Sequence, residues 1–308
     1  MRWLRRLALV VLAVVVAALA VPPLWFAVVG DAVPAAEMPP PGRRVVLPSG
    51  LGLNVLDRGA GQPVVLVHGL PGNGYEWRAL QDELVARGRR AIAYDRAGFG
   101  RSDPRPAGGE YTVEASATDL LQLLDALALG DATVVGWSYG GAVAMAAAQR
   151  DPARIGRLVL VGSAGPGSED NETPLVIRLV LSDLGLLWLR AVPPAGRAVR
   201  EGGMRNAFSD QPMPDWWMPL AHGNFARPGT GLAFVSEMRA SQGKAWPGPA
   251  GIDAPIVVVH GDDDRLARIA IAREIERLAP RGRLVVVEGG SHMLPVTHAT
   301  LLADEILR

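Results

Sequence analysis

Three short stretches carry residues whose types could do chemistry together: a serine between glycines in "GWSYGG" (Gly136–Gly141), three aspartates in "HGDDDRL" (Asp262, Asp263 and Asp264), and His292 in "GGSHML". A serine hydroxyl is a weak nucleophile until a base takes its proton, and an imidazole does this best when a carboxylate fixes its tautomer. Ser138, one of the aspartates and His292 are therefore a set fit for acyl transfer. The bland alternative for Ser138 is a turn serine that caps a helix. A metal hydrolase is the rival in a chain with five histidines, but there is no H-x-x-x-H or H-E-x-x-H spacing and no cysteine. No G-x-G-x-x-G opens a helix and no G-x-x-x-x-G-K-[ST] occurs. Neither a metal nor a nucleotide or other cofactor is expected.

The elements around these residues must bring them together. "PVVLVHG", "RRAIAYD", "ATVVGW", "GRLVLVGSA", "APIVVVHG" and "RLVVVEGG" are apolar, strand-length runs. Helical patterns separate them, over residues 76–87, in "TVEASATDLLQLLDALAL", "YGGAVAMAAAQR" and "IAIAREIERLA", and a last one covers 296–307. Continuously Val/Ile/Leu-rich strands alternating with helices indicate a mostly parallel central sheet with helices on both faces, an α/β architecture. "RRVVLPSG" and "LGLNVLDRG" read as two further strands at the start. Ser138, the aspartates and His292 each follow a predicted strand, at the edge where open parallel sheets bind ligands.

Residues 164–250 interrupt this alternation with a different composition, including "LVIRLVLSDLGLLWLRAV" and "QPMPDWWMPLAHGNF". A structureless insertion of that length is improbable, so the stretch is expected to form a helical lid. Trp188, Met213, Trp216, Trp217 and Met218 are its candidates for an apolar substrate wall, with packing of lid on core as the competing role for each. The chain thus divides into 1–30, a tether at 31–42, a core at 43–163 and 251–308, and the lid at 164–250.

Taken together, "VLVHGLPGN", "YDRAGFGRSD", "VVGWSYGGAVAM", "VVHGDDDRL" and "GGSHML" resemble the α/β-hydrolase family over about residues 43–163 and 251–308. The chain order serine, acid, histidine is that family's order. The resemblance implies Asp264 as the acid, three residues after the glycine that closes its strand, with Asp262 and Asp263 as loop carboxylates. It also implies an oxyanion hole from the N–H groups of Tyr139 and Leu70, and a structural role for His68. A proline often follows the acid by about four residues, where this chain has Arg268. Relatives with epoxide or haloalkane substrates carry aspartate where this chain has Ser138. The expectation is a serine hydrolase of small or medium apolar carboxylic esters. Carbon–carbon bond hydrolysis, amide or peptide hydrolysis and haloperoxidase-like chemistry are the alternatives, and a non-catalytic binding protein that kept the fold is a more distant one.

The N-terminus sets the expected location. Arg2, Arg5 and Arg6 precede a stretch without charge from Leu7 to Val29, longer than the roughly 20 apolar residues a bilayer core needs. Cytoplasmic arginines send the remainder outward. Residues 1–30 are expected to form a transmembrane signal-anchor that holds the catalytic domain outside a bacterial-type inner membrane. Secretion after cleavage near Ala18-Leu19-Ala20 is the alternative. "DAVPAAEMPPPG" follows as a stiff tether. Lys+Arg and Asp+Glu both total 31, which offers no electrostatic reason for a nucleic-acid partner.

Overall fold

The structure, a computed structural model, describes residues 39–168, 193–227 and 229–308, together with isolated positions at 11, 15, 16 and 182. The predicted spanning segment lies outside the described residues apart from helical positions at Val11, Val15 and Val16. Among the described residues, no helix is long and apolar enough to cross a membrane. The chain divides into two compact units: Met1–Pro34 with Thr173–Met204, and Ala35–Glu172 with Arg205–Arg308.

The second unit is built on an eight-stranded sheet in the order β1-β2-β4-β3-β5-β6-β7-β8. The strands are β1 (Arg43–Val46), β2 (Gly52–Arg58), β3 (Pro63–Val67), β4 (Arg90–Tyr94), β5 (Ala132–Trp137), β6 (Ile155–Val161), β7 (Ile256–Gly261) and β8 (Gly282–Val287). β1 and β2 run antiparallel, β2 pairs antiparallel with β4, and every later pairing is parallel. The β7 run "IVVVHG" is buried at all its positions, as a strand covered on both faces must be. β8, at the edge, leaves Val286 exposed.

Helices α1 (Arg78–Ala86), α2 (Val113–Ala126), α3 (Tyr139–Arg150), α7 (Ile269–Leu278) and α8 (Ala299–Leu307) connect or follow the strands. α1 is preceded by a 3-10 turn, Gly74–Trp77, whose Asn73 side chain accepts from Tyr75 N. α3 is buried from Tyr139 through Ala148. Its alanines and glycines let the backbone sit close to the sheet, and a Cβ on Gly140 would collide with the Val67 and His68 carbonyl oxygens.

Between β6 and β7 come α4 (Pro193–Phe208), α5 (Trp217–Phe225) and α6 (Thr230–Ser241). Within the second unit, buried polar contacts fasten α5 and α6 to loops at the C-terminal ends of the strands. Asn224 of α5 donates to Gly72 O (3.0 Å) and accepts from Gly100 N (2.8 Å). Thr230 Oγ1 donates to Gly98 O at 3.1 Å. Glu237 of α6 forms an ion pair with Arg96, both side chains at most 2% exposed.

Candidate active site

Ser138 occupies the single residue between β5 and α3. Its φ of 54° and ψ of −120° put a non-glycine residue in a region L-residues rarely adopt, a strain characteristic of functional turns. The turn is held by its neighbours: Ser138 N donates to Val161 O, and Ser138 O accepts from Gly141 N and Ala164 N, each at 3.0 Å. Only small residues pass beside it, since a Cβ on Gly136 would strike the backbone of Gly140 and Gly141. The Ser138 side chain makes no capping bond to α3. The capping role weighed in the sequence is therefore not the one it takes, and the hydroxyl stands at the end of the strand.

The acid and the imidazole meet. After β7, Asp264 Oδ1 accepts from Leu266 N and Ala267 N, each at 2.8 Å, and Oδ2 accepts from His292 Nδ1 at 2.7 Å. Burial works against ionisation of Asp264, but the charge and hydrogen bond of His292 and the Ala267 N–H outweigh it and hold the carboxyl below its ordinary range. With Nδ1 committed to Asp264, Nε2 of His292 is the nitrogen able to take a proton. The other two aspartates face elsewhere: Asp262 accepts from Gly289 N at 2.7 Å, and Asp263 lies 3.3 Å from Arg265.

The end of β6 joins these parts. Gly162 packs directly against the acid–imidazole pair, so that a Cβ there would lie 3.2 Å from Asp264 Oδ2 and 3.3 Å from His292 Nδ1. The preceding residue, Val161, is the one that anchors Ser138 N. From the other side, Trp137 Nε1 donates to His292 O at 2.9 Å, with the two rings 5.7 Å apart. The indole beside the serine thus fixes the backbone that carries the histidine. Nothing in the sequence pointed to this role, because 155 positions separate the two residues.

Of the two residues whose amides are expected as oxyanion donors, one follows Ser138 directly and the other belongs to the turn beside it. Tyr139 is the first residue of α3, where an N–H has no acceptor within the helix. The turn after β3 reaches the serine at Gly69, where a Cβ would lie 3.1 Å from Ser138 Cβ, and Leu70 is the next residue. His68 is buried behind this turn. Its Nε2 accepts from Arg96 N (2.9 Å), so Nδ1 carries the proton and donates to Gly69 O (2.8 Å). Burial, then the nearby Arg96 charge, keep His68 well below the usual imidazole range. Both ring nitrogens are engaged with backbone groups. His260 is buried and donates through Nε2 to Ala267 O at 2.9 Å, which braces the loop of the acid.

The proposed substrate wall is not assembled by any described contact. Trp217 packs edge-on against Phe208 (5.5 Å) and Trp216 (5.4 Å), and Trp216 lies under the Arg78 guanidinium at 3.2 Å. Met213 and Met218 are half-buried near the start of α5. No hydrogen bond or ring contact joins these four residues to Ser138, Asp264 or His292 among the described residues. Trp188 lies outside the described residues.

Comparison with known proteins agrees with this architecture. A family model described as the alpha/beta hydrolase fold matches residues 62–299. The 2-hydroxy-6-oxo-2,4-heptadienoate hydrolase of Pseudomonas putida is 33% identical over 264 residues, covering 82% of this chain and 90% of the relative. The non-heme chloroperoxidase CPO-A1 of Kitasatospora aureofaciens is 31% identical over 258 residues, covering 77% and 86%. Among solved structures, an esterase from Exiguobacterium antarcticum superposes with a TM-score of 0.72 at 20% identity over 86% of this chain and 98% of that one.

Proposed function

This chain belongs to the alpha/beta hydrolase fold family, and from that premise we propose a serine hydrolase in which Ser138, His292 and Asp264 cleave a bond to a carbonyl carbon. Ser138 Oγ bonds to the carbonyl carbon while His292 Nε2 takes its proton and Asp264 stabilises the imidazolium. The N–H groups of Leu70 and Tyr139 receive the oxyanion. When the intermediate collapses, the bond to the leaving group breaks and His292 returns its proton to that group. Water, deprotonated by His292, then displaces Ser138 from the acyl carbon and regenerates the serine. The observation that carries this reading is the 2.7 Å bond between a buried, ionised Asp264 and His292 Nδ1.

The leaving group separates the substrate classes. A 2-hydroxy-6-oxo-dienoate contains neither ester nor amide, so a hydrolase named for it breaks a carbon–carbon bond beside the ketone. The similarity to such an enzyme favours that chemistry here over the carboxylic ester anticipated from the sequence. Once the 2-hydroxyl proton has moved to C5, giving the 2,6-dioxo tautomer, the group that departs is a dienolate whose electron pair is taken up by the 2-oxo group, protonated on oxygen or carbon, in place of an alkoxide. Side-by-side assays of a 2-hydroxy-6-oxo-dienoate and a p-nitrophenyl ester series test it. Turnover of the dienoate, lost in Ser138→Ala, is the expected result. Ester turnover with an inert dienoate would return the substrate to the ester class and leave the triad intact.

For location, the arginines at Arg2, Arg5 and Arg6 and the apolar stretch behind them support a membrane-anchored form with the catalytic domain outside the cytoplasm.

A further inference from the structure

Arg96 is a long cation buried in the core, and the mechanism above does not use it. Its Nε donates to His68 O (3.3 Å) and its Nη2 to Gly69 O (3.0 Å), while both terminal nitrogens bond to the Glu237 carboxylate of α6. Its guanidinium also lies 4.6 Å from the ring of Tyr139 and 4.9 Å from that of Phe99. The residues it touches are therefore the turn that leads into Leu70 and the residue after Ser138.

We infer that Arg96 is a positioning residue for the oxyanion site, and that Glu237 ties this positioning to lid helix α6. The inference rests on the proposed assignment of the Leu70 and Tyr139 amides as oxyanion donors. Its physical basis is the planarity of the peptide. Gly69 C=O and Leu70 N–H belong to one trans unit and point in opposite directions. Two donors grip that carbonyl from behind, His68 Nδ1 at 2.8 Å and Arg96 Nη2 at 3.0 Å. Fixing the oxygen fixes the direction of the N–H, and drawing electron density toward the oxygen makes the N–H a stronger donor. On the other flank, the same guanidinium packs over the Tyr139 ring, at the start of the helix that presents the second amide. Glu237 holds the guanidinium in place, because a buried cation left without its carboxylate would move toward other acceptors or water.

The experiment is the rate at which an alkyl fluorophosphonate labels Ser138, since its P=O must enter the same pair of donors. Thermal midpoints are measured alongside. Losing an oxyanion donor outright costs about 100- to 1,000-fold in rate, so mis-aiming one in Glu237→Gln or Arg96→Lys should slow labelling by about 10- to 100-fold. The pH of half-maximal labelling should stay at the wild-type value, because the Asp264–His292 bond is untouched. Thr230→Val, which removes the hydrogen bond from α6 to Gly98 O, is the structural control and should label at the wild-type rate despite a lowered midpoint. If Glu237→Gln does not fold, Glu237→Asp carries the same comparison. Glu237 and Arg96 variants that are less stable yet label as fast as Thr230→Val would reduce the pair to a structural staple and overturn the inference. A shifted pH of half-maximal labelling would also overturn it, by placing the damage at the base. Wild-type protein that does not label at Ser138 would bring down the serine-hydrolase reading first and this inference with it.

Discussion

At the scale of single residues, the chemistry depends on what each polar group is committed to. Asp264 spends one oxygen on two loop amides and the other on His292, so its negative charge is matched on both sides. Asp264→Asn keeps the shape but can present an N–H where His292 Nδ1 needs an acceptor, which disfavours the tautomer the reaction uses. By analogy with other triads the expected loss in kcat is about 10,000-fold, measured on the substrate that the wild type turns over. The same residue makes a prediction about stability. Its folded pKa is depressed, so folding favours the ionised form. That contribution is fully present above the ordinary carboxylate pKa of about 4 and is lost as pH falls through the lower, folded value. The gap in thermal midpoint between wild type and Asp264→Asn should be wide at neutral pH and narrow as pH drops below that range. A gap independent of pH would mean that the carboxylate is not stabilised by its partners. Of these residues, Ser138, His292 and the aspartate cluster were legible because their spacing to glycines and strands is local. Trp137 and Arg96 were not. A tryptophan ending a strand and an arginine in a loop look the same whether or not they reach a functional turn, and the contacts of Arg96 lie 27 positions before it and 141 after it.

At the scale of elements, the strands were legible almost throughout, because a strand buried on both faces has to be an unbroken apolar run. Boundaries were less so. The helix expected over 76–87 resolves into the 3-10 turn Gly74–Trp77 and then α1, since Asn73 caps the turn earlier than the apolar spacing indicated. The helix expected over 296–307 likewise splits at His298 into a single turn, Leu294–Thr297, and α8. The approach of α3 to β3 is an element-scale property that one methyl group can test. Gly140 has no room for a Cβ against the carbonyls at the end of β3, whereas nothing lies within 4 Å of a Cβ on Gly130. Gly140→Ala should therefore force α3 and the Ser138 turn off the sheet. The expected cost is about 1–3 kcal/mol, the range for overpacking, with loss of serine labelling. Gly130→Ala should be neutral within about 0.5 kcal/mol in chemical denaturation. Equal behaviour of the two variants would show that the close approach is not what seats the nucleophile.

At the scale of the molecule, the change of composition expected to set off residues 164–250 gives no sign of how residues 205–250 join the sheet. The joining is done by buried polar side chains, each of which pairs with a backbone group or charge more than a hundred positions away. Such pairs leave no period in the sequence. Asn224 shows their effect most simply. Its side chain bonds both Gly72 O and Gly100 N, in two different loops beneath α5. Asn224→Ala leaves a buried carbonyl and a buried N–H without partners, each costing about 1–3 kcal/mol. Because the lid helices from Arg205 onward and the sheet form one compact unit, that loss should be felt by the whole unit. Denaturant unfolding of Asn224→Ala, followed by tryptophan fluorescence and by far-ultraviolet circular dichroism, should give one transition with coincident curves at a lower midpoint. Two separated transitions, with the fluorescence of the lid tryptophans changing first, would mean that α5 and α6 are an independently melting cover. The link proposed from Glu237 through Arg96 to the Leu70 amide would then lack the rigid support it requires.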